Sequence, residues 1–277
     1  MLVLIFSTQN AIDFAKQPQR WNGFMIRLSF CTTCMNRLYQ LRETLPHNLA
    51  EIQKFKNVNL CLVNFNSQDG LHEYIINNFQ EQIQHGTLRY FYTKEPSYFH
   101  CSIAKNLAHR LGDGEILYNL DGDNFISEVN IRKIMDVFNK ESHIFLHDRK
   151  YNKKISMIDL LGLNGSIGRI AMKSYDFHKL GGYDEALLGA SVHDIDLIKR
   201  LKKIDLKKIN TNTQVKPAIL NDKKTTLSNQ PIKMPYFFYE YYNKYLLLLR
   251  NLLRRPVNKN GMKKFRGELN LEKYVEL

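Results

Sequence analysis

Apolar and polar positions along the first half of the chain follow two different spacings. Residues 58–65 (VNLCLVNF) form a nearly continuous apolar run of strand length, and residues 26–32 form a similar run. Such runs are typical of buried strands. Residues 36–49 instead carry leucines at helical spacing, and this helix is expected to end near residues 46–48. Further strands are predicted at 88–92 and 115–120, and further helices at 71–79, 102–111 and 129–138.

The alternation of strands with helices predicts an α/β fold. It is typical of a Rossmann-like, mostly parallel sheet that is flanked by helices on both faces. In such sheets, ligands bind at the carboxyl ends of the strands. The loops expected to form a site are therefore 33–37, 64–70, 97–105 and 121–124.

The amino-acid composition indicates a folded globular protein, and the net charge bears on the kinds of partner that it can bind. The chain has 277 residues, of which 44% are hydrophobic and 24% charged, values that exclude a largely disordered protein. Forty Lys and Arg against 27 Asp and Glu give a formal net charge of +13. A positive net charge favours the binding of polyanions, namely nucleic acid, anionic lipid or diphosphate-bearing substrates. The charge alone does not distinguish among these partners.

The chain is expected to have three parts: an N-terminal extension at 1–24, a main α/β domain at 25–210 and a C-terminal basic and aromatic helical extension at 211–277. The opening MLVLIFS is too short for a membrane span and lacks the basic front of a signal peptide. We therefore expect a cytoplasmic protein with four reduced cysteines. Cys31 and Cys34 form a single CxxC, which without a second pair is weak evidence for a zinc or redox site.

The segment 235–256 is dense in aromatic residues and leucines and predicts a helix. Glu240, Lys244 and Arg250 interrupt it, which argues against a transmembrane span. Arg254 and Arg255 at its end allow an amphipathic helix at the inner face of an anionic membrane. The alternative is a helix packed on the domain or on a second copy of the chain.

Asp121 and Asp123 follow the strand predicted at 115–120, with Gly122 between them. Carboxylates on alternate residues at a strand end converge when a tight turn follows, and glycine lets the backbone approach a ligand closely. Such oxygen ligands suit Mg²⁺ or Mn²⁺, which would bridge them to a diphosphate. An Asp-x-Asp occurs about once by chance in such a chain, and Asp194 and Asp196 form a second one at a predicted helix start. A solvated turn is the alternative for the first pair.

Five blocks of sequence, in this order, resemble the family 2 glycosyltransferases of the GT-A fold. They are SFCTTCMNR, VNFNSQDG, SIAKNLAHRLGDGEILYNLDGDNF, GSIGRIAMKSYDFHKLGGYDE and HDIDLIKRL. The stretch from GGYDE to HDID also resembles the galactosyltransferase-type C-terminal motif. The resemblance implies a nucleotide-sugar bound by the first half, a divalent metal on the Asp-x-Asp, and an acceptor with a catalytic carboxylate on the second half.

The resemblance also implies donor contacts in the first half of the chain. The loop 33–37 matches the family's nucleotide loop, with Arg37 placed to meet phosphate. The loop 64–69 matches the loop that contacts the nucleobase, although the family commonly has Asp where this chain has Phe65, which weakens the case for uracil. The implied donor-binding residues are Thr33, Asn36, Arg37, Asn64, Asn66, Asp69, Lys105, Asn106, Asp121 and Gly165.

Two of these assignments have a purely structural alternative. Lys105 and Asn106 match an Arg/Lys-Asn pair that opens the family's third helix and faces the donor, but a lysine on a helix surface is more often solvated. Residues 165–169 match a segment that lines the donor sugar, and an ordinary glycine-rich turn is the alternative.

Asp194 matches the family's catalytic base, which takes the acceptor's hydroxyl proton during inversion at the anomeric carbon. His193 stands where the family usually has Glu, which puts the implied acceptor contact in doubt. Alternatively, Ser191 and Asp194 have the spacing of a helix capping box. Asp196 would be a supporting residue. No histidine follows His193 in the chain, so a downstream histidine ligand found in some relatives is absent.

These features predict a metal-dependent, inverting glycosyltransferase that moves a sugar from a nucleotide-diphosphate sugar, with a UDP-sugar favoured, to a glycan acceptor. The family further implies a role in bacterial surface polysaccharide synthesis. One alternative is a nucleotidyltransferase, for which a glycine-rich loop after the first strand is expected and TTCMNR lacks glycine. Another is a basic protein that binds a membrane surface or, less favoured, nucleic acid.

Overall fold

The computed structural model describes residues 26–147, 168–189, 192–211, 219, 228–230, 236–259, 261–262 and 275–276. Within them lies an eight-stranded sheet of order β7-β5-β6-β4-β1-β2-β3-β8. The strands are β1 (Leu28–Cys34), β2 (Val58–Phe65), β3 (Leu88–Thr93), β4 (Ile116–Asn119), β5 (Ile144–His147), β6 (Ile170–Lys173), β7 (Lys207–Ile209) and β8 (Val275–Glu276). The helices are α1 (Leu38–Ile52), α2 (Leu71–Asn78), α3 (Gln80–Gln84), α4 (Cys101–Leu111), α5 (Glu128–Lys140), α6 (Ser174–Lys179), α7 (His193–Lys203) and α8 (Tyr236–Leu252).

The sheet confirms the predicted fold class. Strands β1 to β4 are mutually parallel in the order β4-β1-β2-β3, so their carboxyl ends lie at one edge. Strand β6 runs antiparallel to β4 and β5, and β8 adds an antiparallel edge next to β3. Of the parallel strands that the sequence predicts, β2 has the expected bounds, and β1 begins and ends two residues later than expected.

Helices cover both faces of the sheet because alternate residues of each strand point to opposite sides. Phe30 and Leu60 pack on the face covered by α1 and α5, whereas Cys31 and Cys61 pack on the face covered by α4. Cys31 and Cys34 therefore belong to different faces, and both are free and buried. The CxxC pair does not converge on one point, which removes the basis for a zinc or redox site.

Helix α1 continues to Ile52, four residues beyond the expected end near residues 46–48. Proline removes one backbone hydrogen bond from a helix, but the burial of Leu49 and Ile52 offsets that loss. Asn48 also donates to the Asn124 carbonyl at 2.9 Å and accepts from the backbone N–H of Ile126 at 2.9 Å. The turns beyond the proline thus hold the loop that follows β4.

Candidate active site

Asp121 and Asp123 lie in the loop directly after β4, at the carboxyl edge of the parallel strands, as predicted. The neighbouring strand β1 holds the start of this loop. The Thr32 hydroxyl donates to the Leu120 carbonyl at 2.8 Å, and the Leu120 N–H donates to the Cys31 carbonyl at 3.0 Å. The start of the aspartate loop is therefore fixed by the sheet.

Asp121 is fixed by contacts from two sides. Its Oδ1 accepts hydrogen bonds from Asn119 Nδ2 at 3.0 Å and lies 3.3 Å from Lys105 Nζ. Burial acts to raise the pKa of this carboxyl, but the Lys105 ammonium and the Asn119 amide outweigh burial and lower it below its ordinary value. Asp121 is thus held as a carboxylate.

Gly168 packs against Asp121 so closely that a side chain does not fit. A Cβ atom at position 168 would lie 2.3 Å from Asp121 Oδ2. Asn119 Nδ2 also donates to the Gly168 carbonyl at 2.8 Å, so one amide holds both residues. Gly165, the sequence-predicted sugar contact, lies outside the described residues; Gly168 makes the close approach within the part that is described.

Asp123 is buried beside Asn124 and Arg169. Its Oδ1 accepts from Asn124 Nδ2 at 2.8 Å, and Asn124 Oδ1 in turn accepts from Arg169 Nε at 2.9 Å. Burial, followed by the Asp121 carboxylate, raises the pKa of Asp123 to about 7. Among the described residues no cation forms an ion pair with Asp123, so this negative charge is only partly compensated.

Lys105 joins the aspartate loop to the second half of the chain. Lys105 lies in the middle of α4, and its Nζ is 3.3 Å from Asp121 Oδ1 and 3.0 Å from Asp194 Oδ1. Lys105 is only 6% exposed, so the solvated alternative is wrong. Burial acts to lower its pKa, but the two carboxylates outweigh burial and raise it. Asp121 and Asp194, from distant parts of the sequence, therefore share one ammonium group.

Asp194 lies in the first turn of α7, and a capping box does not account for its position. The N-cap is Val192, at φ 58°, and it makes no side-chain cap hydrogen bond. Ser191, the other member of the expected box, is outside the described residues. Asp194 instead accepts a hydrogen bond from Lys105.

His193 is locked in the neutral state next to Asp194. Its Nε2 is 2.6 Å from the Gly189 carbonyl, to which it must donate, and its Nδ1 is 2.7 Å from the Ser102 hydroxyl, from which it then accepts. Burial lowers the pKa of His193 to about 4. This histidine therefore fastens the start of α7 to α4 and carries no charge at neutral pH.

Asn106 has a positioning role in the structure. Its Oδ1 accepts from the Tyr183 N–H at 2.7 Å, and its Nδ2 donates to the Tyr183 carbonyl at 2.9 Å and to Glu185 Oε1 at 2.8 Å. Gly182, at φ 67°, is required here because its Cβ would lie 2.5 Å from Asn106 Oδ1. The GGYDE segment is thereby attached to α4 one residue after Lys105. Contact of Asn106 with a donor stays a prediction.

Helix α8 contributes contacts that sequence reasoning missed. Arg250 Nη1 lies 2.5 Å from Asp184 Oδ2, and its other terminal nitrogen pairs with Asp196 Oδ1. Arg200 Nε donates to Asp196 Oδ2 at 2.8 Å. Asp196 thus pairs both with Arg200 of its own helix and with Arg250 of α8; its role as a support for Asp194 stays a prediction. The signal available in the sequence was an arginine directly after four leucines.

The loops 33–37 and 64–69 lie beside each other at the same edge of the sheet, and hydrogen bonds between them use many of their polar groups. Asn36 Oδ1 accepts from the Gln68 N–H at 2.6 Å, and Asp69 Oδ2 accepts from the Leu38 N–H at 2.7 Å, at the start of α1. Asn64 and Asn66 bond within the fold, to Tyr90 and Pro96 respectively. Thr33 and Arg37 are half-buried at the same edge.

The described part of the chain contains no cluster of three or more His, Cys, Asp or Glu side chains that is placed to hold a metal ion. The candidate metal ligands are therefore the two carboxylates predicted from the sequence, Asp121 and Asp123. A cation bound there would need further oxygen ligands from a bound molecule, such as a diphosphate.

The site consists of paired carboxylates at a parallel strand edge, with a third carboxylate approaching from the second half of the chain. The chain belongs to glycosyl transferase family 2, since the model of that family matches residues 29–173. This match includes β1 to β6 and the aspartate loop but ends before GGYDE and Asp194. No curated protein is detectably similar in sequence.

Solved structures share the fold at low sequence identity. A mannosyltransferase from Pyrobaculum calidifontis, PcManGT, in complex with GDP-Man and Mn²⁺, is 17% identical with a TM-score of 0.53, over 73% of this chain and 60% of that one. TarS from S. aureus is 13% identical with a TM-score of 0.52, over 69% of this chain and 36% of that one. The match thus covers less than two thirds of either structure's length. At these identities the likeness shows the GT-A fold.

Proposed function

We propose that the protein is a metal-dependent, inverting glycosyltransferase that moves a sugar from a nucleotide-diphosphate sugar to a hydroxyl of a glycan acceptor. The single observation that carries the proposal is the meeting of Asp121 and Asp194 at Lys105 Nζ. It brings a carboxylate of the donor-side loop next to a carboxylate of the acceptor-side helix. A transfer reaction needs both kinds of group at one centre.

The residues at the aspartate loop fit a divalent cation. Asp121 and Asp123 present hard oxygen ligands, and the charge of Asp123 lacks an ion-pair partner among the described residues. Asp121 and Asp123 would hold Mn²⁺ or Mg²⁺ together with oxygens of the donor diphosphate. When bound, the cation would stabilise negative charge on the departing diphosphate.

Asp194 is proposed as the general base. It is partly exposed, with 19% of its side chain accessible, so an acceptor hydroxyl can reach it. Lys105 holds one of its oxygens, and the neutral His193 anchors the turn on which it sits. Asp194 would take the hydroxyl proton as the acceptor oxygen attacks the anomeric carbon, opposite the departing diphosphate. Attack from that face inverts the configuration.

The donor, the acceptor and the location are parts of this proposal. PcManGT is described with GDP-Man, whereas the sequence favours a UDP-sugar, so both nucleotide types belong in any test. A UDP-sugar remains the proposed donor, with a glycan acceptor in bacterial surface polysaccharide synthesis. The proposal also places the protein in the cytoplasm, with contact at an anionic membrane through 235–256.

The decisive experiment measures release of nucleotide diphosphate by the full chain from a panel of UDP- and GDP-sugars, with Mn²⁺ present or chelated. We expect turnover of at least one donor, its loss on chelation, and its loss in Asp123→Ala. The exposed Asp205→Ala serves as the matched control. NMR of the product should show an inverted anomeric configuration.

Two results would contradict the proposal. One is the absence of donor binding and turnover across the panel, with no effect of chelation. The other is nucleic-acid binding that falls steeply with salt and is indifferent to Asp123→Ala, which would favour a basic binding protein.

A further inference from the structure

Helix α8 presents an apolar face to solvent. Its exposed apolar residues recur three or four positions apart and so lie along one side of the helix. We name this set the outer stripe; it consists of Phe238, Tyr241, Tyr245, Leu248 and Leu252. Tyr241 is 72% exposed and Leu252 69% exposed. A contiguous exposed apolar face of this kind typically marks an interaction site.

The opposite side of α8 faces the domain and carries polar residues. Asn243 is fully buried and forms two hydrogen bonds with the backbone of Leu188, accepting at 2.9 Å and donating at 2.8 Å. Arg250 pairs with Asp184 and Asp196. Turning the outer stripe inward would break these contacts, and the buried Asp184 carboxylate would lose the one ion-pair partner it has among the described residues. The domain's own packing therefore keeps the apolar side outward.

Basic residues lie beside the outer stripe and beyond its C-terminal end. Lys244, Arg254, Arg255 and Lys259 are exposed on or just after the helix. The single acidic residue of α8, Glu240, is paired with Lys244 at 2.6 Å. Because Glu240 and Lys244 neutralise each other, the exposed charges that remain in this set, on Arg254, Arg255 and Lys259, are all positive. An anionic surface complements them.

We propose that the outer stripe of α8 docks on an anionic lipid membrane, with the helix lying in the plane of the interface. Aromatic rings and leucines would enter the boundary between headgroups and acyl chains while the basic side chains meet lipid phosphates. No described helix is long and apolar enough to cross a membrane. This docking rests on the proposed function and names the surface that makes its membrane contact. Because α8 packs against α7, the helix that carries Asp194, docking would also place Asp194 near the membrane.

The test is sedimentation of the full chain with vesicles, without any nucleotide-sugar. Vesicles of equal parts phosphatidylcholine and phosphatidylglycerol should bind the protein, and vesicles of phosphatidylcholine alone should bind it weakly. Tyr245→Ser with Leu252→Ser should lower binding at least about tenfold. The matched control, Tyr175→Ser with Val129→Ser, removes similarly exposed apolar residues elsewhere and should bind like wild type. Arg254→Ala with Arg255→Ala should weaken binding about tenfold at low salt.

Failure to bind anionic vesicles, or wild-type binding by the Tyr245 and Leu252 variant, would overturn the proposal. So would a concentration-dependent dimer that this variant abolishes, because a second copy would then occupy the face. Donor turnover without vesicles is measured separately. Turnover without vesicle binding refutes only the docking surface, whereas binding without turnover refutes only the transfer reaction.

Discussion

Lys105 and Asp194 form an ion pair at 3.0 Å although they lie 89 positions apart in the chain. The same ammonium is 3.3 Å from Asp121. Helix α4 thereby sets the distance between the loop assigned to the donor and the helix assigned to the acceptor. The proposed chemistry depends on that spacing, since small displacements of catalytic groups have large effects on rate.

Replacing Lys105 by Met should lower kcat by about 100-fold or more, because Asp121 and Asp194 lose the group that holds them together. It should also lower the free energy of unfolding by about 3 kcal/mol, since two carboxylates remain without their buried cation. Steady-state kinetics and chemical denaturation measure the two effects. Lys105→Arg keeps the charge and should restore much of both; equal damage by both variants would show that packing matters and charge does not.

Asp194→Asn should lower kcat by about 1000-fold while the KM for the donor changes little, because the amide fills the same space but cannot accept a proton. Transfer assays and donor titration separate the two quantities. Asp205→Asn, at an exposed position with φ 61°, is the control and should behave like wild type. Loss of donor binding in Asp194→Asn would make Asp194 a structural residue.

Gly168→Ala should disturb the aspartate loop, since its Cβ would lie 2.3 Å from Asp121 Oδ2. We expect weaker binding of donor and Mn²⁺, measured by calorimetry, together with a lower melting temperature. At Gly122, between the two aspartates, a Cβ would meet Leu41 at 3.5 Å and Thr32 at 3.9 Å, both ordinary contacts. Gly122→Ala should therefore fold with near-wild-type stability, and an equal loss of stability in both variants would refute the steric argument.

Arg250→Ala should destabilise the protein by about 3 kcal/mol, because Asp184 and Asp196 are buried and lose a shared partner. Because Asp196 lies two residues after Asp194, kcat should fall while the donor KM holds. Arg255→Ala, an exposed neighbour, is the control in assays without membranes. Partial rescue by Arg250→Lys is expected, and unchanged kcat in Arg250→Ala would show that α8 does not position Asp194.

Acidification below about pH 6.5 should remove the stability that the buried His109 contributes. Burial lowers the pKa of His109 to about 3, so the folded state keeps this ring neutral while the unfolded chain takes up a proton near pH 6.5. Its contribution is fully present above pH 6.5 and is lost progressively on acidification. Between pH 7 and 5 the loss is about 2 kcal/mol for His109.

Urea denaturation at the two pH values checks this expectation. His109→Gln should reduce the pH dependence by about 2 kcal/mol, because the glutamine does not titrate. The exposed His85→Gln should leave it unchanged. Identical pH dependence in His109→Gln and wild type would mean that other groups cause the acid loss. His100 and His193, whose pKa values burial also lowers to about 4, are the candidates.

The position of the aspartate loop could be predicted from the sequence, because strand and helix periodicities are local properties. A run such as VNLCLVNF can be satisfied only in a buried strand, and parallel strands place the residues that follow them at a common edge. Asp121 and Asp123 were located in this way. The end of α1 was predicted wrongly because the packing of Leu49 and Ile52, which outweighs the effect of Pro46, is not a local property.

The partners of Lys105 and Arg250 were decided only by the tertiary structure. An ion pair between α4 and α7, or between α8 and α7, depends on how whole elements pack, and nothing in the sequence near either residue specifies it. The periodicity of α8 likewise defines two faces but not which of them meets the domain. Arg250 pairs with the buried carboxylates of Asp184 and Asp196, and this pairing turns the outer stripe toward solvent. A buried charge without a partner costs more free energy than exposed leucines and tyrosines do.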